Sequence, residues 1–175
     1  LMADCQEHGI SDGLQRGLGF GFREQGDVVS MVTYAKSLGY DKVVVFGTSQ
    51  GAFSSICAAS HCQDIDGVFA ENPYSTQYHL VSDILERAMA PLLGLRIAAR
   101  MVRLLKRTVA KGVTYGMERS IGREAFHVDA MQAVERMTQP LYLAHGTEDS
   151  IIPVSHSQYL YEHAKCPKEL WICPG

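Results

Sequence analysis

The sequence predicts an α/β fold: a doubly wound, mostly parallel sheet with an inserted helical cap. Three observations predict it. Short apolar runs rich in β-branched or aromatic residues alternate with segments of helical period. The runs end in turn signals, among them Asn72-Pro73, Gly146 and Pro174-Gly175. About 65 residues separate the second run from the third, too many for a plain crossover, whose helix and loops need only about a dozen. With 175 residues, 46% hydrophobic and 20% charged, one packed domain is expected and extended disorder is not.

The elements follow in order. Residues 24–38, "EQGDVVSMVTYAKSL", set Val28, Val32, Ala35 and Leu38 at helical spacing, and Gly39 stops the helix. "DKVVVFG" is a short β-branched strand of the kind buried on both faces in a parallel sheet. "AFSSICAAS" reads as a helix that packs closely through small side chains. "DGVFAENP" is a second strand, "QPLYLAHG" a third, "SHSQYLYEHAKC" a helix and "KELWICPG" a fourth strand. The chain thus divides into a first core part (1–76), a cap insertion (77–139) and a second core part (140–175). Neither terminus carries a polar tail, so the sequence reads as an internal piece of a longer protein.

Within the insertion, Arg96, Arg100, Arg103, Arg107 and Lys111 recur every three or four residues, beside an apolar stripe of Ile97, Met101, Leu104 and Leu105. The basic stripe reads as the solvated face of a cap helix, or as a contact for an anionic membrane surface or an acidic substrate. Arginines interrupt every apolar 20-residue window there, which argues against a transmembrane span.

Other classes fit less well. The net charge of −3 gives no global attraction to nucleic acid, and the aromatics do not interleave with the basic stripe. No His, Asp or Glu spacing suggests a metal, and no cofactor is expected. "GLGFGF" is rich in glycine but does not follow a strand, so it is not read as a phosphate cradle. Five cysteines without paired short spacings argue against a disulfide framework and favour a reducing compartment, in the cytoplasm or at the cytoplasmic face of a membrane. Cys57 and Cys173 read as small buried hydrophobes.

The chemistry centres on "VVVFGTSQGAFSS", residues 43–55. A strand, a tight turn and a helix would hold Ser49 on a strained backbone, its hydroxyl clear of the sheet. Gly47 and Gly51 would remove Cβ atoms that collide where strand and helix approach. The N–H of Gln50 and the helix dipole both favour negative charge beside that hydroxyl, as an oxyanion hole requires. The competing reading is a serine that simply caps a helix. A second candidate group is the carboxylate of Asp149, at the carboxyl end of a strand in a loop bracketed by Gly146 and Pro153; Glu148 competes for its role.

Three motifs carry a family resemblance that spans nearly the whole chain. "FGTSQGA" resembles the nucleophile elbow of α/β-hydrolases of the serine hydrolase type. "LAHGTEDSIIP" resembles the strand and loop that present their acid, and "ADCQEHGISDG" is similar to their loop with Asp, then Gly-His-Gly-x-Ser, then Gly, except that Glu7 stands for the first glycine. The branch it looks like holds serine aminopeptidases, monoacylglycerol-lipase-like enzymes and related esterases. The resemblance implies Ser49 as nucleophile, Asp149 as acid, Gln50 as an oxyanion donor, and a cap between the second and third strands.

In that family the order is Ser, acid, His. Only His156 and His163 follow Asp149, and both fall in a predicted helix where the family does not put its base. The resemblance implies a base just after the fourth strand, beyond Gly175, and a second oxyanion donor before Leu1. His8 is read as structural, and His145 as a group that fixes the acid loop. The leading reading is therefore a serine hydrolase acting on an ester, thioester or amide of a small or lipid-like acyl substrate. The alternative is a non-catalytic module of the same fold that binds a partner or an anionic membrane through its basic cap helix.

Overall fold

The structure, a computed structural model, describes residues 1–12, 19–89, 105, 108–116, 118–119 and 128–174. Its centre is a sheet of four parallel strands in sequence order: β1 (Val44–Thr48), β2 (Gly67–Glu71), β3 (Leu141–Gly146) and β4 (Lys168–Cys173). The helices α1 (Glu24–Ser37), α2 (Gln50–Ala59), α3 (Gln77–Met89), α4 (Ala130–Arg136) and α5 (Ser155–His163) stand between and before them. Residues 108–116 are also helical. Every strand and helix expected outside the insertion is present within one to three residues of its expected bounds.

Helix α1 ends where the sequence signals it: Gly39 takes φ +91°, a left-handed conformation that a side chain resists. Its start is held by Glu24, whose carboxylate accepts the N–H groups of Gly19 (2.8 Å) and Gly21 (2.8 Å). The amides of this glycine-rich loop are thus turned on a protein carboxylate. Gly21, at φ +91°, lies against Phe53, and a Cβ there would come within 2.2 Å of the ring.

The core lies between α2 and the sheet. Val68 and Ala70 of β2, with Leu141 and Leu143 of β3, are buried against Ala52, Phe53, Ile56 and Ala59 of α2. Small side chains along α2 allow this approach, as expected. Phe53 stacks on Tyr74 with ring centroids 4.5 Å apart. The Tyr74 hydroxyl donates to the Phe20 carbonyl at 3.1 Å, so the buried ring keeps its polar tip satisfied.

One expectation needs correction. Strand β1 is not buried on both faces. Val45 and Gly47 face the helices, whereas Val44 and Phe46 on the other face are 66% and 64% exposed. The physical reason is that, among the described residues, the helices touching the sheet meet the face that carries Val45, Val68 and Leu141. On the opposite face an aromatic ladder runs across three strands, Phe46 to Phe69 at 5.2 Å and Phe69 to Tyr142 at 4.6 Å. Within residues 77–139, helix α4 packs in the core through Ala130, Ala133 and Val134.

The arginines of the expected basic stripe, Arg96, Arg100, Arg103 and Arg107, lie outside the described residues, as do Ile97, Met101 and Leu104. Among the described residues no helix is long and apolar enough to cross a membrane. The five cysteines are free; burial pushes the Cys57 thiol up, and Cys173 is half-buried rather than buried.

Candidate active site

All four strands run parallel, so their carboxyl ends form one edge, and the loops after them carry the groups singled out in the sequence. Ser49 follows β1 directly. Its backbone has φ 54° and ψ −114°, far from the extended geometry usual for a helix-capping residue. Its carbonyl accepts the first intrahelical bond, from Phe53 N–H at 3.0 Å, so Ser49 occupies the cap position of α2. Its side chain makes no capping hydrogen bond and is exposed. A non-glycine residue held at positive φ costs on the order of 1–3 kcal/mol and persists only where its surroundings over-determine it. Here the surroundings are a strand ladder on one side, continued by Ser49 N–H to the Glu71 carbonyl at 2.9 Å, and the first turn of α2 on the other.

The two flanking glycines are not equivalent. A Cβ on Gly47 would sit 2.3 Å from the Gly51 carbonyl oxygen and 2.7 Å from the Ala52 nitrogen, both rigid backbone atoms. A Cβ on Gly51 would meet nothing within 4 Å. The close approach of strand and helix therefore demands glycine before the serine, and not after it. Gln50 opens α2, where the first N–H groups have no intrahelical acceptor and point toward the helix N-terminus. That is the position from which an N–H can meet charge developing beside the Ser49 hydroxyl.

Asp149 follows β3, at the same edge. Its carboxylate is closely held. Oδ1 accepts from Ile151 N–H (2.7 Å) and Ile152 N–H (2.8 Å), and Oδ2 accepts from the Asn72 side-chain amide (2.8 Å). The side chain keeps 13% of its surface exposed. Glu148, the competing carboxylate, is exposed on the same loop. A chain of contacts links the two halves of the site: Ser49 N–H meets the Glu71 carbonyl, and the next residue, Asn72, holds Asp149.

The histidines near this edge are engaged elsewhere. His145, buried at the end of β3, has Nε2 2.9 Å from the Ile152 carbonyl, so that nitrogen carries the proton, and Nδ1 2.6 Å from the Ser157 hydroxyl. It braces the acid loop, as read from the sequence. His156 of α5 accepts Ser75 N–H on Nδ1 at 2.9 Å and turns Nε2 toward Asp83 of α3 at 2.9 Å. Burial pushes its pKa down, against the opposing pull of Asp83. The Ser75–His156–Asp83 run has the composition of a catalytic triad, but Ser75 is 2% exposed and its backbone N–H occupies the ring nitrogen. It is a fastening between α3 and α5. His8 bonds the Gln6 carbonyl within its own loop at 3.0 Å. In that loop Glu7 stands at φ 64°, the position where the resembling motif has glycine.

Sequence reasoning missed Asn72, Asp83 and Arg87, whose guanidinium donates to the Asp149 carbonyl at 3.1 Å. For Asn72 a signal was present: an Asn before Pro at a strand end marks a turn, and Asn is the side chain best suited to positive φ. Asp83 and Arg87 sit one helical turn apart on an ordinary amphipathic helix, and nothing local distinguishes them.

Comparison with known proteins agrees with this geometry. Residues 22–175 match the family model described as acetyl xylan esterase (AXE1). A relative from Bacillus subtilis (strain 168), the uncharacterized protein YqkD, is 26% identical over 98% of this chain and 53% of its own length. Among solved structures, the Pyrococcus furiosus esterase Pf2001 superposes with a TM-score of 0.66 at 20% identity, over 98% of this chain and 60% of that one. Est1E from Butyrivibrio proteoclasticus, solved with ferulic acid, gives 0.66 at 22% identity, over 98% and 66%. The Pyrococcus horikoshii acylaminoacyl peptidase gives 0.57 at 17% identity, over 89% and 23%. The chain thus spans about half the length of the curated relative and about three fifths of the first esterase. Its parallel sheet, its strained serine turn and its match over most of the chain have one common conclusion: this chain belongs to the acetyl xylan esterase (AXE1) family and has the α/β-hydrolase fold.

Proposed function

We propose that the protein is a serine hydrolase that cleaves an ester or related acyl bond, with Ser49 as nucleophile and Asp149 as the acid that orients a histidine base. The observation that carries this reading is the Ser49 turn: φ 54°, an exposed hydroxyl, and no capping bond to explain why a serine stands there. The family match and the esterase neighbours support an acyl substrate, and the ferulic acid on Est1E shows one such neighbour holding a small aromatic acid.

Ser49 Oγ attacks the acyl carbonyl carbon as the base removes its proton. The carbonyl oxygen becomes an oxyanion within reach of Gln50 N–H, a contact worth about 3–4 kcal/mol in the transition state. The base returns the proton to the leaving alcohol or amine, and water then releases the acyl group by the same path. Asp149 Oδ2 accepts one hydrogen bond from Asn72, which leaves it capacity to accept the N–H of the base. His145 and His156 are turned on other partners, and the serine–acid–histidine order of the family puts the base on a histidine outside the described residues.

The test is labelling of the full-length protein by a fluorophosphonate probe. Labelling is expected and is lost in Ser49→Ala. A well-folded full-length protein that stays unlabelled and does not turn over p-nitrophenyl acetate removes the proposal.

A further inference from the structure

We infer that Asn72 is a positioning residue for the acid of this site, an inference that rests on the serine hydrolase reading above. It joins three parts of the catalytic edge at once. Its backbone N–H extends the β2–β3 ladder to the Ala144 carbonyl at 2.8 Å. Its side-chain Oδ1 accepts Gly146 N–H at 3.2 Å, at the end of β3, and Nδ2 donates to Asp149 Oδ2 at 2.8 Å. The amide can point only one way. Gly146 N–H is solely a donor and must face Oδ1, which turns Nδ2 on the carboxylate.

The backbone tells the same story. Asn72 stands at φ 47°, and it precedes Pro73, which narrows its conformational choice further. Asn tolerates the left-handed region better than most side chains. Three hydrogen bonds hold it there, which is the over-determination such a conformation needs. Glutamine is too long to reach both groups from this backbone, and a leucine of similar size would leave Gly146 N–H and Asp149 Oδ2 without these partners.

The consequence falls on Asp149. Its Oδ1 is fixed by two backbone amides of its own loop, and among the described residues only Asn72 ties Oδ2 to the neighbouring strand. Because Asn72 follows Glu71, whose carbonyl receives Ser49 N–H, the amide sets the acid in register with the nucleophile's strand. Facing the pair are the His145 ring, 3.9 Å from Asp149 Oδ2, and the Arg87 guanidinium on the Asp149 carbonyl.

Two substitutions in the full-length protein test this with p-nitrophenyl acetate. Asn72→Gly keeps the backbone at ease and deletes the amide. The expected result is a kcat at least about tenfold lower with KM changed by less than about threefold, since a misaligned acid harms the transition state and not substrate binding. Asn72→Asp keeps the shape and the acceptor for Gly146 but replaces the donor by an oxygen. Two carboxylates so close share a proton at low pH, and that proton restores a donor to Asp149 Oδ2; at higher pH both ionise and repel. The ratio of variant to parent kcat is therefore expected to rise several-fold as pH falls from about 8 to about 5. A merely structural residue would lower the melting temperature without moving either readout. Folded variants with kcat within about threefold of the parent, or a pH-independent ratio, overturn the inference. Ser49→Ala in the same assay separates the two claims. If it abolishes turnover while the Asn72 variants are unimpaired, only the role of Asn72 falls. If it leaves turnover intact, both fall.

Discussion

Ser49 and the glycines around it show how one residue can be strained for a purpose and its neighbours chosen for different reasons. Strand β1 and helix α2 meet so tightly at the turn that the Gly51 carbonyl oxygen lies where a Gly47 Cβ would go, at 2.3 Å. Neither atom can swing away, because one belongs to a paired strand and the other to a helix. Gly47→Ala is expected to destabilise the protein by about 3 kcal/mol or more, near the upper end of single-site effects, and to abolish activity with the fold. Gly51 has open space at its Cβ and an ordinary helical backbone, so Gly51→Ala is expected to be neutral or to stabilise by up to about 1 kcal/mol, since glycine is a poor helix residue. Thermal or urea unfolding of the two variants side by side checks this. Equal losses would mean that the second glycine serves a contact that its surroundings do not reveal. The pattern Gly-x-Ser-x-Gly was legible in the sequence; the inequality of its glycines was not, because both look like the same relief of crowding until the backbone path is known.

At the scale of elements, the sequence marked every strand and helix whose period or stop signal was local. Gly39 closing α1 and the β-branched run of β1 are examples. It misjudged what covers each face. "DKVVVFG" carries three consecutive valines, and nothing in those residues says that Val44 and Phe46 face away from the helices while Val45 faces them. It also could not foresee how α3 is fastened, since Ser75, Asp83 and His156 are brought together only by the fold. That fastening has a pH signature. Ser75 N–H occupies His156 Nδ1, and burial lowers the pKa of the ring, so the folded state favours the neutral form. Asp83 on α3 opposes the shift, whereas His79 beside it and His145 on β3 reinforce it. An unfolded histidine takes a proton near pH 6.5, so below that value the unfolded chain binds more protons than the folded one. The contribution is fully present above about pH 6.5 and is lost as pH falls toward the lower value of the folded ring. In His156→Asn the amide oxygen can still accept Ser75 N–H, and nothing titrates at that position. The parent is expected to lose more melting temperature between about pH 7.5 and about pH 5.5 than this variant does. Identical pH slopes would show that the ring charges without disturbing α3.

For the whole molecule, the question is whether these 175 residues can complete a catalytic cycle alone. Ser49, the Gln50 N–H and Asp149 stand at one edge of the sheet, and the Asn72 amide braces Asp149. A base must touch both Ser49 Oγ and Asp149, and the described histidines are placed for other work. His145 spans Ile152 and Ser157, His156 spans Ser75 and Asp83, and His8 and His163 bond carbonyls two and four residues before themselves. His79 contacts the Ser75 hydroxyl, and His61 follows the far end of α2, about 15 Å from Ser49 at 1.5 Å per helical residue. Freeing His145 or His156 for catalysis would leave buried partners unsatisfied, at about 1–3 kcal/mol for each group. The oxyanion donor and binding alone still leave some rate above water, typically about three orders of magnitude in serine hydrolases stripped of their triad. The isolated chain is therefore expected to hydrolyse p-nitrophenyl acetate slowly at best, without the burst of a competent acyl-enzyme, while the full-length protein shows a burst that Ser49→Ala removes. Burst kinetics from the isolated chain, lost in Ser49→Ala and in His156→Asn, would show that one of the engaged histidines leaves its partners to serve as base, and that α3 swings away for each turnover.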